Sequence, residues 1–202
     1  MVCLSLNLIR IQPPHRLRTG VSTLELPAAH ILSALIWALG DVASVSAYFV
    51  ASANPRREII DRNRKPTGKF GEWPHEELIA VSGVLASGAT VTFHVRGGIP
   101  KDKGGLVPFE WLVDGTEGSV EVRADSAWIN FNEPQTVLFK GEPSKPEREG
   151  SAGLAGRMES GWREFAKGDE GEYATFEDGY RLHKLVEAIR RSAREGIRVT
   201  ID

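Results

Sequence analysis

Alternation of polar and apolar residues near the middle of the chain most limits what this chain can fold into. From Thr90 to Arg96 the sequence reads TVTFHVR, in which Thr92, His94 and the two end residues alternate with apolar residues. Successive side chains of a β-strand point to opposite faces, so a period of two places all the polar ones together. The preceding run LIAVSGVL is also β-rich, and the residues ASG between the runs favour a short turn. The sequence therefore predicts a β-hairpin with one polar face.

That polar face raises the question of whether its residues react or bind. Alternation alone accounts for Thr92, His94 and Arg96 as a solvated or interface-facing side of a sheet, so we interpret them as contact residues. Glu110 lies in the next alternating run and would pair with Arg96 if the two strands are neighbours. An exposed pair of this kind contributes only about 0.2–1 kcal/mol, so it does not by itself indicate a function.

Further segments favour short strands and three helices. The strand candidates are VASVSAYFVAS, FEWLVDG, SVEVRA, AWINF, QTVLF and IRVTID, the last as an edge strand. An apolar helix is predicted from Pro27 to Leu39, and two amphipathic helices near the C-terminus, the second capped by Asp178 and ended by Gly196. We expect loops in NPRREIIDRNRKPTGKFGEWPHEE, RGGIPKDKGG and KGEPSKPEREGSAGLAG. This order predicts an α+β fold with an open, largely antiparallel β-sheet and helices packed on one face.

Composition narrows the cellular setting and the partners. With 25 basic and 27 acidic residues the formal charge is −2, which provides no general attraction to nucleic acid or to anionic membranes. Cys3 is the single cysteine, which favours a reducing compartment and hence a cytoplasmic protein. Residues 1–20 contain Pro13-Pro14 and no acid, so we expect a poorly ordered leader there and one domain over residues 21–202.

No common catalytic motif is present. The sequence has no glycine-rich phosphate loop that follows a strand and opens a helix, no HExxH pair and no G-x-S-x-G elbow. Its five histidines are scattered, so no metal site is predicted. His30 is the one candidate for catalysis, since it lies in a strongly apolar helix; it is either hydrogen-bonded at the edge of the core or a proton-transfer group.

Four segments, in this order, carry a family resemblance: HILSALIWALGDVASVSAYF, ELIAVSGVLASGATVTFHVRGG, FEWLVDGTEGSVEV and YATFEDGYRLHKLVEAIRRSAREGIRVTI. Over residues 20–202 the chain resembles the C-terminal domain of the Gfo/Idh/MocA oxidoreductases, and within them the fungal Gal80-like branch. The resemblance implies a parent protein with an N-terminal Rossmann domain that binds NAD(P). We expect this chain to lack that domain and to bind no cofactor alone.

The same resemblance implies roles for particular residues and partners. His30 aligns with the histidine that family enzymes use as acid or base, but Leu26 stands where they usually place an aspartate and Ser33 where an acid is common. The open sheet face, with Thr92, His94 and Glu110, becomes the expected substrate pocket or oligomer interface. The implied partners are a second copy of the chain and a small sugar-like ligand, with neither direct nucleic-acid nor membrane binding.

Three functions remain open on the sequence alone. In the first, the chain is a substrate-binding and oligomerisation domain of an NAD(P)-dependent oxidoreductase-like protein and is not catalytic alone. In the second, it is a non-catalytic Gal80-like regulatory or protein-interaction module, in which case a nuclear location also fits. In the third, it is a truncated gene product.

Overall fold

The computed structural model describes residues 2–8, 22–51, 56–61, 63, 65–72, 76–97, 109–124, 135–144 and 153–202. The strands are β1 Val2–Leu8, β2 Val42–Ala51, β3 Arg56–Ile60, β4 Pro66–Glu72, β5 Glu76–Leu85, β6 Thr90–Gly97, β7 Phe109–Gly115, β8 Gly118–Ala124, β9 Gln135–Phe139, β10 Glu142–Ser144 and β11 Val199–Thr200. The helices are α1 Ala29–Leu39, α2 Gly153–Ala166 and α3 Phe176–Glu195. A π-helical turn, Leu24–Ala28, leads directly into α1.

Nine strands form one open sheet in the order β10-β9-β8-β7-β1-β6-β5-β2-β11, and β3 and β4 form a separate antiparallel pair. Every neighbouring pair in the large sheet is antiparallel except β1 and β6. The predicted α+β fold with an open, largely antiparallel sheet is confirmed. The predicted hairpin is also confirmed: Ala80 lies opposite His94 across β5 and β6, and Gly88 in the turn takes a φ of 87°, which favours glycine.

The core lies between the sheet and the two helices α1 and α3. Each helix buries one apolar stripe against the apolar side chains on the facing side of the sheet. Burial of one large apolar side chain stabilises the fold by about 1.5–3 kcal/mol. The buried residues that define this core include Ile31, Leu32 and Leu35 of α1, Leu185, Val186 and Ile189 of α3, and Val45, Ala47, Ile79, Val81, Phe93 and Val95 of the sheet. The helices therefore cover one face of the sheet and leave the other without a helical layer in the described part of the chain.

A buried serine fixes α3 to the end of the sheet. The Ser192 hydroxyl accepts a hydrogen bond from the Ala47 N–H at 2.9 Å and donates to the Ile197 carbonyl at 2.5 Å. β11 pairs with β2 at Ser44 and Val45. Ser192 provides the hydrogen-bond partner of the next N–H of β2 that points toward this edge, that of Ala47. The Ala47 N–H is thus satisfied although the pairing of β11 with β2 does not extend to this residue.

The ends of α3 show one confirmed and one wrong prediction. Gly196 ends the helix in the left-handed conformation, with φ 66°, as predicted. The N-cap is Thr175 rather than Asp178: the Thr175 hydroxyl accepts from the Asp178 N–H, and the Asp178 carboxylate accepts from the Thr175 N–H at 2.7 Å. Asp178 therefore acts from the third helical position of a capping box.

Three expectations about loops and termini were wrong in part. Residues 2–8 of the expected leader form β1, which lies between β6 and β7, where both neighbours hydrogen-bond its backbone. Part of the expected loop at 140–156 is ordered as β10 and the start of α2, and the polar excursion before β5 contains the pair β3–β4. Residues 9–21, the loop at 98–108 and the strand candidate AWINF lie outside the described residues.

Candidate functional site

The open face of the sheet is the surface on which the predicted contact residues meet. The register places Tyr48, Ala80 and His94 side by side on β2, β5 and β6. Glu110 and Arg123 continue the same row on β7 and β8, beyond β1. Because side chains at these paired positions point to the same side of a sheet, the row runs across most of the open face.

This face is accessible and only moderately polar. Tyr48 is 73% exposed, and Val50 and His94 are also exposed, whereas Thr92 is half-buried. Ser46, Ser82 and Thr92 form the next row, so hydroxyl groups line one side of the row that contains Tyr48. Uncharged hydroxyls and an exposed tyrosine are inexpensive to desolvate compared with charged side chains, which favours a contact surface over a purely solvated one.

The predicted pair between Glu110 and Arg96 is wrong. β1 lies between β6 and β7, which separates the backbones of these two residues by two strand spacings, about 10 Å. The Glu110 carboxylate instead accepts from Arg123 Nε at 3.1 Å, and Arg123 also forms an ion pair with Glu121. The side chain of Arg96 lies outside the described part of the structure, so only its backbone position on β6 is given.

His30 lies on the other side of the sheet from the contact residues. It is in the first turn of α1, which packs on the covered face, so the structure does not bring it together with His94 or Glu110. His30 is exposed and hydrogen-bonds no other residue that the structure describes, so the interpretation as a hydrogen-bonded core-edge histidine is wrong. Leu26 and Ser33, one turn to either side, are exposed and provide no carboxylate.

One face of α1 is more open than the sequence predicts. Leu26, His30, Ser33 and Trp37 follow helical spacing, and Trp37 is 81% exposed. The apolar content of this segment predicted a buried helix, whereas only Ile31, Leu32 and Leu35 and their neighbours are packed in the core. Periodicity did not separate the two stripes because Leu26 and Trp37 of the open stripe are themselves apolar.

The described ranges contain neither a metal-binding cluster nor a helix that could cross a membrane. No cluster of three or more His, Cys, Asp or Glu side chains there is arranged to hold a metal ion. None of the helices in the described ranges combines the length and the hydropathy that crossing a bilayer requires. The open sheet face is therefore the best-defined candidate surface in this part of the chain.

Solved structures of a transcriptional regulator and of oxidoreductases share this fold. The chain resembles a super-repressor mutant of Gal80p from Saccharomyces cerevisiae, with a TM-score of 0.80 and 15% identity over 100% of this chain and 58% of that chain. It resembles the transcriptional regulator Gal80p from Kluyveromyces lactis with a TM-score of 0.75 and 18% identity over 98% of this chain and 52% of that one. It resembles an aldose-aldose oxidoreductase from Caulobacter crescentus, complexed with glycerol, with a TM-score of 0.68 and 21% identity over 99% of this chain and 55% of that chain. The chain thus spans about half the length of these proteins.

The sequence comparison is more specific than the structural one. No curated protein matches the sequence. The family model for the C-terminal domain of Gal80p matches residues 14–124, which is more than half of the chain. The matched region includes α1, the β5–β6 hairpin and the β7–β8 hairpin, and so covers three of the four segments that suggested the resemblance. The chain therefore belongs to the Gal80p C-terminal domain family.

Proposed function

We propose that this chain is the self-association domain of a Gal80p-like protein and carries out no redox chemistry by itself. The observation that carries the proposal is the open sheet face, which no helix of the described ranges covers. Nine strands give the face a width of about 38 Å, and strands of seven residues a height of about 23 Å. The resulting area of roughly 900 Å² is close to the about 800 Å² that one partner contributes to a stable interface of standard size.

A second copy is the occupant that fits this face. In a two-fold dimer the same patch meets itself, so its chemistry must complement its own. The β2–β5–β6 region offers Tyr48, Val50 and neutral hydroxyls, which do not repel a copy of themselves. Farther along the face, Arg123 lies between the carboxylates of Glu110 and Glu121, so a patch of mixed charge meets another of mixed charge.

Absence of catalysis is supported by the surroundings of His30. A histidine works as acid or base most efficiently when a carboxylate orients it and stabilises its charged form. Leu26, one turn before His30, is a hydrocarbon and cannot do either. We therefore propose that His30, together with the exposed Trp37, contacts a ligand such as a small sugar rather than transferring a proton.

The self-association proposal is tested by light scattering over a hundredfold dilution series with wild type and Tyr48→Glu. Two buried carboxylates would face each other in the variant dimer, so we expect it to be monomeric at concentrations where wild type is dimeric. Trp37→Glu, which places the same charge at an exposed aromatic on the helical side, is the matched control and should dimerise normally. A wild type that stays monomeric throughout, or two variants that behave alike, would overturn the proposal.

The proposed lack of a cofactor site has its own test. Titration of the purified chain with NADH and with NADPH, followed by tryptophan fluorescence, should show no saturable quenching. Saturable binding at micromolar concentrations of either nucleotide would contradict it and restore an enzymatic interpretation.

A further inference from the structure

A six-residue pattern occurs twice in the C-terminal helices. Residues 158–163 in α2 read MESGWR, and residues 176–181 at the start of α3 read FEDGYR. Each has glycine, an aromatic residue and arginine at the same three consecutive offsets, preceded by an apolar residue and glutamate. The aromatic residue of each pattern, Trp162 in α2 and Tyr180 in α3, lies on an exposed helix face and is more than half exposed.

In α2 this pattern produces an apolar stripe that the described chain leaves open. Met158, Trp162 and Phe165 lie at i, i+4 and i+7, and Trp162 is 65% exposed. The rings of Trp162 and Phe165 meet edge to face at 5.8 Å, and Tyr173 extends the row with a contact of 5.2 Å to Phe165. An amphipathic helix normally buries such a stripe. We call Met158, Gly161, Trp162, Phe165 and Tyr173 the aromatic surface.

Gly161 leaves a gap between the side chains of this surface, and packing within the described chain does not require a glycine there. A Cβ atom added at Gly161 would meet no atom within 4 Å, so nothing in the described chain requires a glycine there. Glycine in a helix interior is less favourable than alanine. Helical geometry places Gly161 next to Phe165 on the same stripe, where the missing side chain lets another backbone approach closely. The equivalent Gly179 of the second pattern is equally open.

The charges beside the aromatic surface are acidic. Arg163 and Lys167 are each paired with a glutamate of α2, at 2.6 Å in both cases. Asp169, Glu170 and Glu172, in the connection that leads from α2 to Tyr173, form no ion pair with any residue that the structure describes. A second copy of the chain would bring three more acids to the same place, and like charges in an interface are unfavourable. The charge distribution therefore selects a positively charged partner.

We propose that the aromatic surface docks a basic amphipathic helix of a partner protein. The apolar stripe of that helix packs on Trp162 and Phe165, its backbone crosses α2 at Gly161, and its lysine or arginine side chains reach the three unpaired acids. Tryptophan and tyrosine anchors of this kind contribute most of the affinity in helix-in-groove recognition. This surface shares no residue with the open sheet face.

The test uses two synthetic helices of about 18 residues with the same leucine pattern, one with lysine and the other with glutamate at all polar positions. Anisotropy of the labelled peptides against full-length protein should show saturable binding of the lysine peptide and at least tenfold weaker binding of the glutamate peptide. Trp162→Ala should weaken the lysine peptide at least tenfold. Phe70→Ala removes an exposed aromatic residue of β4, outside the surface, and should leave the affinity unchanged.

Gly161→Ala separates a docking role from a purely structural one. In the free protein alanine should raise the melting temperature or leave it unchanged, whereas peptide binding should weaken because the new methyl group blocks close approach. Equal binding of the two peptides, or lysine-peptide binding that neither Trp162→Ala nor Gly161→Ala reduces, overturns the proposal. So does dimerisation that Trp162→Ala abolishes and Tyr48→Glu does not, because the surface would then bind a second copy.

Discussion

Replacing Ser192 by alanine should destabilise the fold far more than loss of one hydroxyl at the surface. In the native state this hydroxyl is the hydrogen-bond partner of the Ala47 N–H at 2.9 Å and of the Ile197 carbonyl at 2.5 Å, and Ser192 is 1% exposed. Alanine leaves the buried N–H of Ala47 without a partner, at a cost of about 1–3 kcal/mol. The carbonyl of Ile197 is nearer to solvent, so the loss of its hydrogen bond from Ser192 adds only about 0.5–1 kcal/mol.

We therefore expect Ser192→Ala to lower the free energy of unfolding by about 1.5–4 kcal/mol and the melting temperature by about 3–16 °C for a chain of this length. Urea denaturation followed by circular dichroism measures the first quantity, and it should shift the midpoint without changing the slope. Ser82→Ala, on the exposed open face, is the matched control and should change stability by less than about 0.5 kcal/mol. If Ser192→Ala costs no more than the Ser82 control, the serine does not hold α3 to β2 as argued.

Three further predictions concern the helices and the core. Hydrogen bonds from the Thr175 hydroxyl and N–H, and from Arg181, lower the pKa of Asp178 from 3.8 to about 2. The ionised Asp178 carboxylate therefore stabilises the fold fully above pH 3.8, and this stabilisation is lost as the pH falls from there to about 2. Over this pH range the urea midpoint of wild type should fall more steeply than that of Asp178→Asn. Parallel pH profiles of the two proteins would exclude this stabilisation. Gly161→Ala should raise the free energy of unfolding by up to about 1 kcal/mol, since the added methyl group meets no atom within 4 Å, and a lower urea midpoint would show a clash. Phe93→Ala should cost about 3–5 kcal/mol because Phe93 is fully buried beneath the helices, and a cost under about 1 kcal/mol would mean that the core is not packed as described.

Local patterns were sufficient to predict the elements whose structure is determined locally. The period of two from Thr90 to Arg96, with a glycine-containing turn before it, gave the β5–β6 hairpin, because its strands are neighbours in sequence. Gly196 marked the end of α3, since a left-handed C-terminal residue is a local requirement. The distinction between Thr175 and Asp178 at the other end of α3 was missed because both residues take part in one capping box.

Non-local pairings account for the features that the sequence did not predict. β1 pairs in parallel with β6 although about ninety residues separate them, and no short-range signal indicates such a partner. The insertion of β1 is also what separates Glu110 from Arg96 and leaves Arg123 as its partner. The apolar stripe of α2 was visible in the sequence, but a stripe alone does not say whether the chain itself covers it.

The central claim, that the open sheet face is a self-association surface, is tested most directly by the mass of the protein in solution. We expect sedimentation equilibrium to give about 44 kDa for wild type, twice the 22.2 kDa of the chain, and 22.2 kDa for Tyr48→Glu with an unchanged circular dichroism spectrum. A wild-type mass of 22.2 kDa at every concentration, or a dimer that Tyr48→Glu leaves intact, would contradict it.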